Sequence, residues 1–440
     1  MRLASIIIAL TFQLLSRGQS WSAVGSGVDG RVNAFADDSS IDELYLGGNF
    51  HSAGTVPLYR MGLWNHGVWD NSINSGPNGP IYTMLFDGAD LIVGGAFDSV
   101  GNLATNNIAI WNGSYWQSLQ SGLPGPVYTL KSFNNRLYAG GDFDFGSTPP
   151  YAANIAAWDG VDWFRVGIDQ PNGPVKALEV HSNALYVAGN FTLIGSTPTG
   201  RIGKWDGMGW FNVGSGMNDQ VLTLHEHNGK LYAGGTFVLA DGDTVNHVAK
   251  LIDATWTPSW TGIGEGTSDS VFCLDTYNGE LVAGGAFSYA GGSLVNHVAK
   301  WDTTNWTDLG GGTNDNVYGM TVYNGELYVG GNFTAAGGTA FNHVARWNAP
   351  SGVNITSPKI SQPIASPNPF LISASIDFLR PLNSNCTFKL YNSLGDEVEC
   401  NWRISENKVI IERGQLMAGI YQYTFCFECG HIIGKLIIQN

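Results

Sequence analysis

Basic side chains are scarce in this chain. It has 21 Lys and Arg against 36 Asp and Glu in 440 residues, a formal net charge of −15. Such acidity disfavours nucleic acid and anionic membranes as partners, because both are met by basic surfaces. It is compatible with loosely held divalent cations, although a solvated acidic surface explains it equally simply. Long apolar runs are also missing beyond the first twenty residues, so no membrane-spanning helix is predicted. No phosphate loop, HExxH pair or nucleophile elbow occurs in a supporting context, so no catalytic residue and no cofactor is predicted. Cysteines number only five. Cys273 stands alone in a strand-like phrase and reads as a small core residue. Cys386 and Cys400 flank a turn symmetrically, a spacing open to a cross-strand disulfide in an oxidising compartment. Cys426-x-x-Cys429 lacks the second pair that a zinc site requires.

Glycine, by contrast, is abundant, with 59 residues, and it is periodic. A hydrophobic strand ending in Gly-Gly-x-Phe occurs seven times, starting at Gly47, Gly94, Gly140, Ala188, Gly234, Gly284 and Gly330. A fixed period near 47 residues is the signature of a repeat architecture. Each unit reads as four short strands with alternating apolar and polar residues, bounded by Gly, Asn and Asp. Asn-Gly at 228–229, 278–279 and 324–325 suits two-residue hairpin turns. Seven such units predict an all-β fold, a seven-bladed β-propeller over residues 21–350. The alternative is an open solenoid, and closure of the ring separates the two.

The tryptophans carry the closure. Pairs five residues apart occur at Trp64/Trp69, Trp111/Trp116, Trp158/Trp163, Trp205/Trp210 and Trp301/Trp306. The fifth unit has Leu251 in the first slot, and spacing puts Trp256 in the second. The seventh ends at Trp347 without its partner. Trp21-Ser-Ala-Val-Gly-Ser-Gly at the other end matches the outer-strand phrase Trp210-Phe-Asn-Val-Gly-Ser-Gly. The N-terminal segment is therefore predicted to supply the outermost strand of the last blade. The Gly-Gly ending and the aromatic pair together resemble the kelch-type propellers of the galactose-oxidase-like superfamily. That resemblance implies the architecture and no activity. The copper ligands of those oxidases, a cysteine cross-linked to tyrosine with further tyrosine and histidine, have no match here.

Residues 1–20 have a basic start, an apolar stretch from Ala4 to Leu15 and small residues near Gly18, and read as a secretory signal peptide. Residues 351–362 form a polar linker rich in Pro and Ser. Residues 363–440 lose the repeat, balance acidic and basic side chains, and read as a small immunoglobulin-like β-sandwich. Four phrases stand there in order: Ser366-Pro-Asn-Pro-Phe370, Leu390-Tyr-Asn-Ser-Leu-Gly395, Met417-Ala-Gly-Ile-Tyr421 and Gly434-Lys-Leu-Ile-Ile438. With them this segment resembles the type A C-terminal sorting domain of the bacterial type IX secretion system. The motif residues are Pro367, Asn368, Pro369, Gly395, Gly419, Tyr421, Gly434 and Lys435. The resemblance implies a Bacteroidota source, the secretion machinery as a partner, and a secreted or outer-surface location after the sorting domain is removed.

One local feature separates the last three units from the rest. Asp219, Asp269 and Asp315 each lie two residues before the valine that opens the innermost strand. His247, His297 and His343 each follow an asparagine at the start of the third strand. The topology puts both sets on one rim, about 10 Å apart across the sheet. They are candidates for binding a cation or a sugar; duplication of one blade is the alternative. The long, varied loops between second and third strands emerge on the same rim, whereas the opposite rim has tight turns. Recognition is therefore expected on the long-loop face near the channel mouth. Function follows as a non-catalytic binding or adhesion module for an extracellular glycan or protein. The alternative is a secreted enzyme acting on glycans or peptides from the same face.

Overall fold

The computed structural model describes residues 20–38, 43–65, 67–73, 75–149, 151–252, 258–348, 373–377, 387–392, 397–405, 408–427 and 430–438. The proposed signal peptide and linker, together with Pro367, Asn368, Pro369 and Gly395, lie outside them. Every regular element among the described residues is a β-strand. The chain divides into two compact units, residues 1–350 and 351–440.

The first unit is a seven-bladed β-propeller built from seven four-stranded sheets. The innermost strands are Arg31–Asp38, Ile81–Asp87, Val127–Phe133, Val175–His181, Val221–His227, Val271–Tyr277 and Val317–Tyr323. Each touches the next, and the last touches the first, so the ring is closed. The N-terminal strand Ser20–Ala23 pairs antiparallel with Val344–Asn348, putting Trp21 opposite Trp347 in the seventh blade.

Chemistry at two glycine positions explains the repeated phrase. A Cβ on the first glycine would strike the inner-strand valine of the next blade: Gly140 would come within 2.5 Å of Val175 Cγ1, and Gly330 within 2.5 Å of Val32 Cγ1. The blades meet too closely for any side chain there. The second glycine faces a backbone carbonyl, as Gly48 does Arg31 O at 2.1 Å from the same ideal Cβ. Five of the seven phenylalanines that follow, Phe50, Phe191, Phe237, Phe287 and Phe333, are the largest fully buried side chains among the described residues. Outer-strand tryptophans then stitch neighbours together through Nε1: Trp116 donates to Ser75 O at 3.0 Å, Trp306 to Ile263 O at 3.1 Å and Trp21 to Leu309 O at 2.8 Å. In the fifth blade that role belongs to Trp260, which pairs with Leu251 and donates to Val213 O. The five-residue spacing therefore pointed to the wrong tryptophan. The turn before this strand is four residues longer than in its neighbours, and Trp256 falls outside the described residues.

The long loops are less varied than their sequences suggest. Six of the seven fold into the same two-stranded ribbon, as in Ser99–Val100 with Leu103–Ala104. A side chain from the preceding interblade loop caps each ribbon. Asn78 Oδ1 accepts from the Asp98 and Ser99 N–H groups, and Asn218 and Asn314 repeat the clamp. On the opposite rim, Asn228-Gly229 and Asn278-Gly279 both take positive φ, as a type I′ hairpin requires.

The second unit contains a three-stranded and a four-stranded antiparallel sheet. Phe388 and Leu390 of one and Val409 and Ile411 of the other share one core. Tyr421 is buried in that core, and its hydroxyl donates to Met417 O at 3.0 Å. Gly419 pairs with Ile438, Gly434 with Tyr423 and Lys435 with Gln422 across the last two strands. Cys400 is an unbridged thiol; Cys386 and Cys429 lie outside the described residues.

Candidate functional site

All seven innermost strands carry a β-bulge at the same place. Ladder register slips between the first and third residues, as from Ile81 to Thr83 and from Val271 to Cys273. A bulge re-aims the extra residue out of the pleat. Here that residue is Asn33, Tyr82, Tyr128, Lys176, Leu222, Phe272 or Tyr318, one per blade. The valine or isoleucine just before each bulge, Val32 in the strand that opens at Arg31, stays fully buried between blades, while the bulged residue is partly exposed. Because these strands start on the long-loop side, the bulged residues form a collar at that mouth of the channel.

The collar has an internal order. Tyr82 and Tyr128 meet at 5.5 Å between centroids, and Lys176 Nζ lies 3.2 Å from the Tyr128 ring centre. Across the ring, Phe272 and Tyr318 stack at 5.0 Å, and the Arg31 guanidinium lies 4.9 Å from the Tyr318 ring centre. Burial lowers the Lys176 pKa, and Asp142 pulls the other way. Burial, then Asp142 and Tyr82, raise that of Tyr128. Asn33 fills a gap by donating to Ile81 O at 2.7 Å.

Three residues further along each inner strand stand Ala36, Leu85, Lys131, Glu179, His225, Asp275 and Thr321. Lys131 and Glu179 form a 2.6 Å ion pair. His225 shares the Thr276 hydroxyl with His227, at 2.9 and 2.8 Å. Burial, then His227 and Lys131, push His225 down to about 4. Burial pushes Asp275 up to about 7, aided by Asp37 and opposed by the Thr276 N–H. The channel wall is thus polar below the collar.

The six rim residues singled out by sequence take backbone duties. His247, His297 and His343 sit at positive φ, as do Arg60, Asn107, Asn154 and Arg201 in the same slot of the other blades. Each of the three accepts a bond from the second glycine of its own blade. Arg60, Asn107 and Asn154 also reach the next interblade loop, donating to Pro77 O, Leu123 O and Pro171 O. The histidines make no equivalent bond: His343 Nδ1 lies 3.2 Å from Gly331 O, and Nδ1 of His247 and of His297 is buried without a hydrogen-bond partner. Asp219, Asp269 and Asp315 occupy the slot of Gly30, Gly79, Gly125 and Gly173, and each accepts from the next residue's N–H. The Ser270 backbone chiefly holds the Asp269 carboxyl below its ordinary range, with smaller pulls from His247 and His297. Among the described residues, no group of three His, Cys, Asp or Glu side chains is arranged to hold a metal ion. A 330 Å³ depression beside His247 is lined by Glu265, Thr267 and Tyr289.

Sequence reading missed the collar, since nothing in the chain announces a bulge. The available signal was a contrast: valine or isoleucine at the strand's first position in all seven copies, followed by a residue that changes.

No protein-family model matches the chain, and no curated protein matches it in sequence. Among solved structures it is similar to the extracellular domain of a putative hybrid two-component system from B. thetaiotaomicron, at 10% identity and a TM-score of 0.50. That match covers 97% of this chain and 60% of the other, so the chain spans well under two thirds of its neighbour. A protein of unknown function from Bacteroides thetaiotaomicron matches at 9% identity and a TM-score of 0.35, covering 76% and 98% of the two chains. Identities this low establish the propeller fold alone.

Proposed function

We propose that this chain is a secreted or cell-surface protein of a Bacteroidota bacterium, exported as type IX secretion cargo, whose propeller is a non-catalytic binding module. The observation that carries the binding reading is the collar. Seven bulges turn side chains that the scaffold does not need toward one mouth of the channel, on the long-loop face. Asp219, Asp269, Asp315, His247, His297 and His343 belong to the outer rim of the same face and complete the set of candidate ligand-binding residues. The ordered phrases of residues 363–440 support sorting, and two sheets around a shared core fit an immunoglobulin-like sandwich. The extracellular setting named for the B. thetaiotaomicron neighbour agrees with export.

Removing residues 363–440 tests the sorting half. The propeller should fold but stay in the periplasm of a host with this secretion system, and the mature surface form should lack those residues by mass spectrometry. Arrival of the truncated protein at the surface refutes the assignment. Exchange of long loops for short turns tests the binding half: extracellular glycan or protein binding should fall, whereas exchange on the opposite rim should leave it. Turnover of a glycan or peptide by the purified propeller would favour the enzyme reading instead.

A further inference from the structure

Two cations stand at the channel mouth of this acidic protein, Lys176 within the collar and Arg31 beside it, and each lies over a tyrosine ring. Running round the ring, blades two, three and four give Tyr82, Tyr128 and Lys176. Blades six and seven give Phe272 and Tyr318, and Arg31, two residues before the bulged Asn33 of blade one, lies over the second of them. Each set is two neighbouring rings followed by one cation held over the second ring. Leu222 stands between Lys176 and Phe272 in the order of the blades, and Asn33 shares its strand with Arg31. Neither cation has a carboxylate in direct contact, although the Asp142 charge acts on Lys176 from further away. Among the described residues, Lys176 and Arg31 form no ion pair within 4 Å, and Arg31 Nε is buried with no hydrogen-bond partner. A half-buried cation with no carboxylate in contact gains from an anion supplied from outside. A ring face supplies only part of that gain.

From this geometry we infer that the collar binds an acidic oligosaccharide, one with carboxylates on more than one sugar. This rests on the propeller being an extracellular binding module. Lys176 and Arg31 each take a carboxylate, and the guanidinium can do so through two parallel N–H donors. Tyr82, Tyr128, Phe272 and Tyr318 offer apolar ring surface to the C–H faces of the sugars between, and the tyrosine hydroxyls can donate to sugar hydroxyls, that of Tyr318 while accepting from Asn316 Nδ2 at 3.3 Å. An acidic peptide would satisfy the cations equally but would leave the flanking rings and hydroxyls without a flat, hydroxylated partner.

The experiment is calorimetric titration of the full chain with oligogalacturonate and oligoalginate, their methyl-esterified forms, and oligoglutamate. At least one uronate should bind, and its methyl ester should bind at least tenfold more weakly. Lys176→Met and Arg31→Met should each weaken uronate binding about tenfold, with Lys176→Arg restoring most of it. Thermal unfolding of each variant confirms the fold, and the ester comparison needs no variant at all. Failure of both uronates at millimolar concentration overturns the inference, as does equal affinity for ester and acid, or for oligoglutamate. Discovery of a neutral glycan or protein ligand whose binding survives both Met variants overturns it too, while leaving the binding-module reading intact. Surface arrival without residues 363–440 would strike the sorting assignment alone.

Discussion

Position one of the innermost strand and position two stand side by side in the chain and obey different rules. Position one is Val32, Ile81, Val127, Val175, Val221, Val271 and Val317, each with no exposed surface. Position two runs Asn, Tyr, Tyr, Lys, Leu, Phe, Tyr. The first residue packs into a gap sized by the previous blade's glycine, so volume dictates it. A bulge lifts the second out of that gap into the channel mouth, where packing sets few limits. Sameness among the seven copies reports the scaffold, and divergence reports where the scaffold makes no demand. The same split recurs between the outer tryptophans and the channel layer of Lys131, Glu179, His225 and Asp275.

Breaking the repeated side should have the largest effect. Trp21 is buried, meets Trp347 at a tilt with ring centroids 5.2 Å apart and donates to Leu309 O. Trp21→Ala should cost about 3–5 kcal/mol of unfolding free energy, the usual price of removing a buried indole. Deleting residues 21–28 should cost more, because the seventh sheet then loses its outer strand and exposes an edge. Thermal unfolding measures both. A deletion that leaves the midpoint unchanged would mean the ring does not depend on this strand for closure.

The scaffold was legible in the sequence because it is written seven times. Spacing alone located the blades, the turns and the closing strand. It failed at Trp260, where four extra residues moved the partner of Leu251 out of register. The collar was illegible for a different reason. A bulge is a slip between two strands, and neither strand's residues mark it. Alternation predicts that Phe272 and Leu274 share a face, yet the slip separates them. The Asp and His of the last three blades were visible as a pattern, but their backbone roles depend on positive φ and on glycine positions in other blades.

The channel layer can be probed by pH. Asp275 is raised from 3.8 to about 7 in the folded protein, mainly by burial. The folded state therefore holds a proton that the unfolded state releases between pH 4 and 7, and this contribution to stability falls as pH rises through that window. His225 is depressed from 6.5 to about 4, again mainly by burial. Its contribution is complete above 6.5 and is lost as pH falls toward 4. The two slopes oppose each other between pH 4 and 6.5. Asp275→Asn should unmask the histidine, so that stability drops on acidification, and should stabilise the protein above pH 7 by at most about 4 kcal/mol. Asp275 is half-buried rather than fully enclosed, so solvent screening makes that a ceiling. His225→Gln should leave the aspartate slope alone, with stability rising as pH falls. Urea unfolding from pH 4 to 8 reads both, and parallel profiles in the two variants would dismiss the coupled layer.

A smaller effect tests whether the glycine slots are set by neighbouring blades. Gly140 has no room for a methyl beside Val175, whereas the same slot of the fourth blade holds Ala188. Gly140→Ala should destabilise by about 1–3 kcal/mol through overpacking. Ala188→Gly should also destabilise, by about 0.5–1 kcal/mol, through chain entropy and lost contact. Opposite substitutions at equivalent positions should thus both be unfavourable. If Gly140→Ala were neutral, the blade gap would be softer than the 2.5 Å approach implies.

The smallest effect concerns Asp219, Asp269 and Asp315, which diverge from the glycines of the first four blades without joining the collar. Their Oδ1 atoms accept from the next N–H, a bond that asparagine keeps. The triple change to Asn should therefore alter stability by less than about 1 kcal/mol. Calcium binding should be unchanged, since no set of three suitable side chains converges there among the described residues. His247 provides the finer reading. Its pKa is lowered by burial, and the Asp269 charge opposes that shift, with help from the backbone at Thr236 and Gly235. Removing the charge should lower the His247 titration midpoint further in NMR. A loss of calcium affinity in the folded triple variant would place a cation site on the rim. The division between a backbone-building rim and a ligand-facing collar would then have to be redrawn, with the last three blades contributing to both.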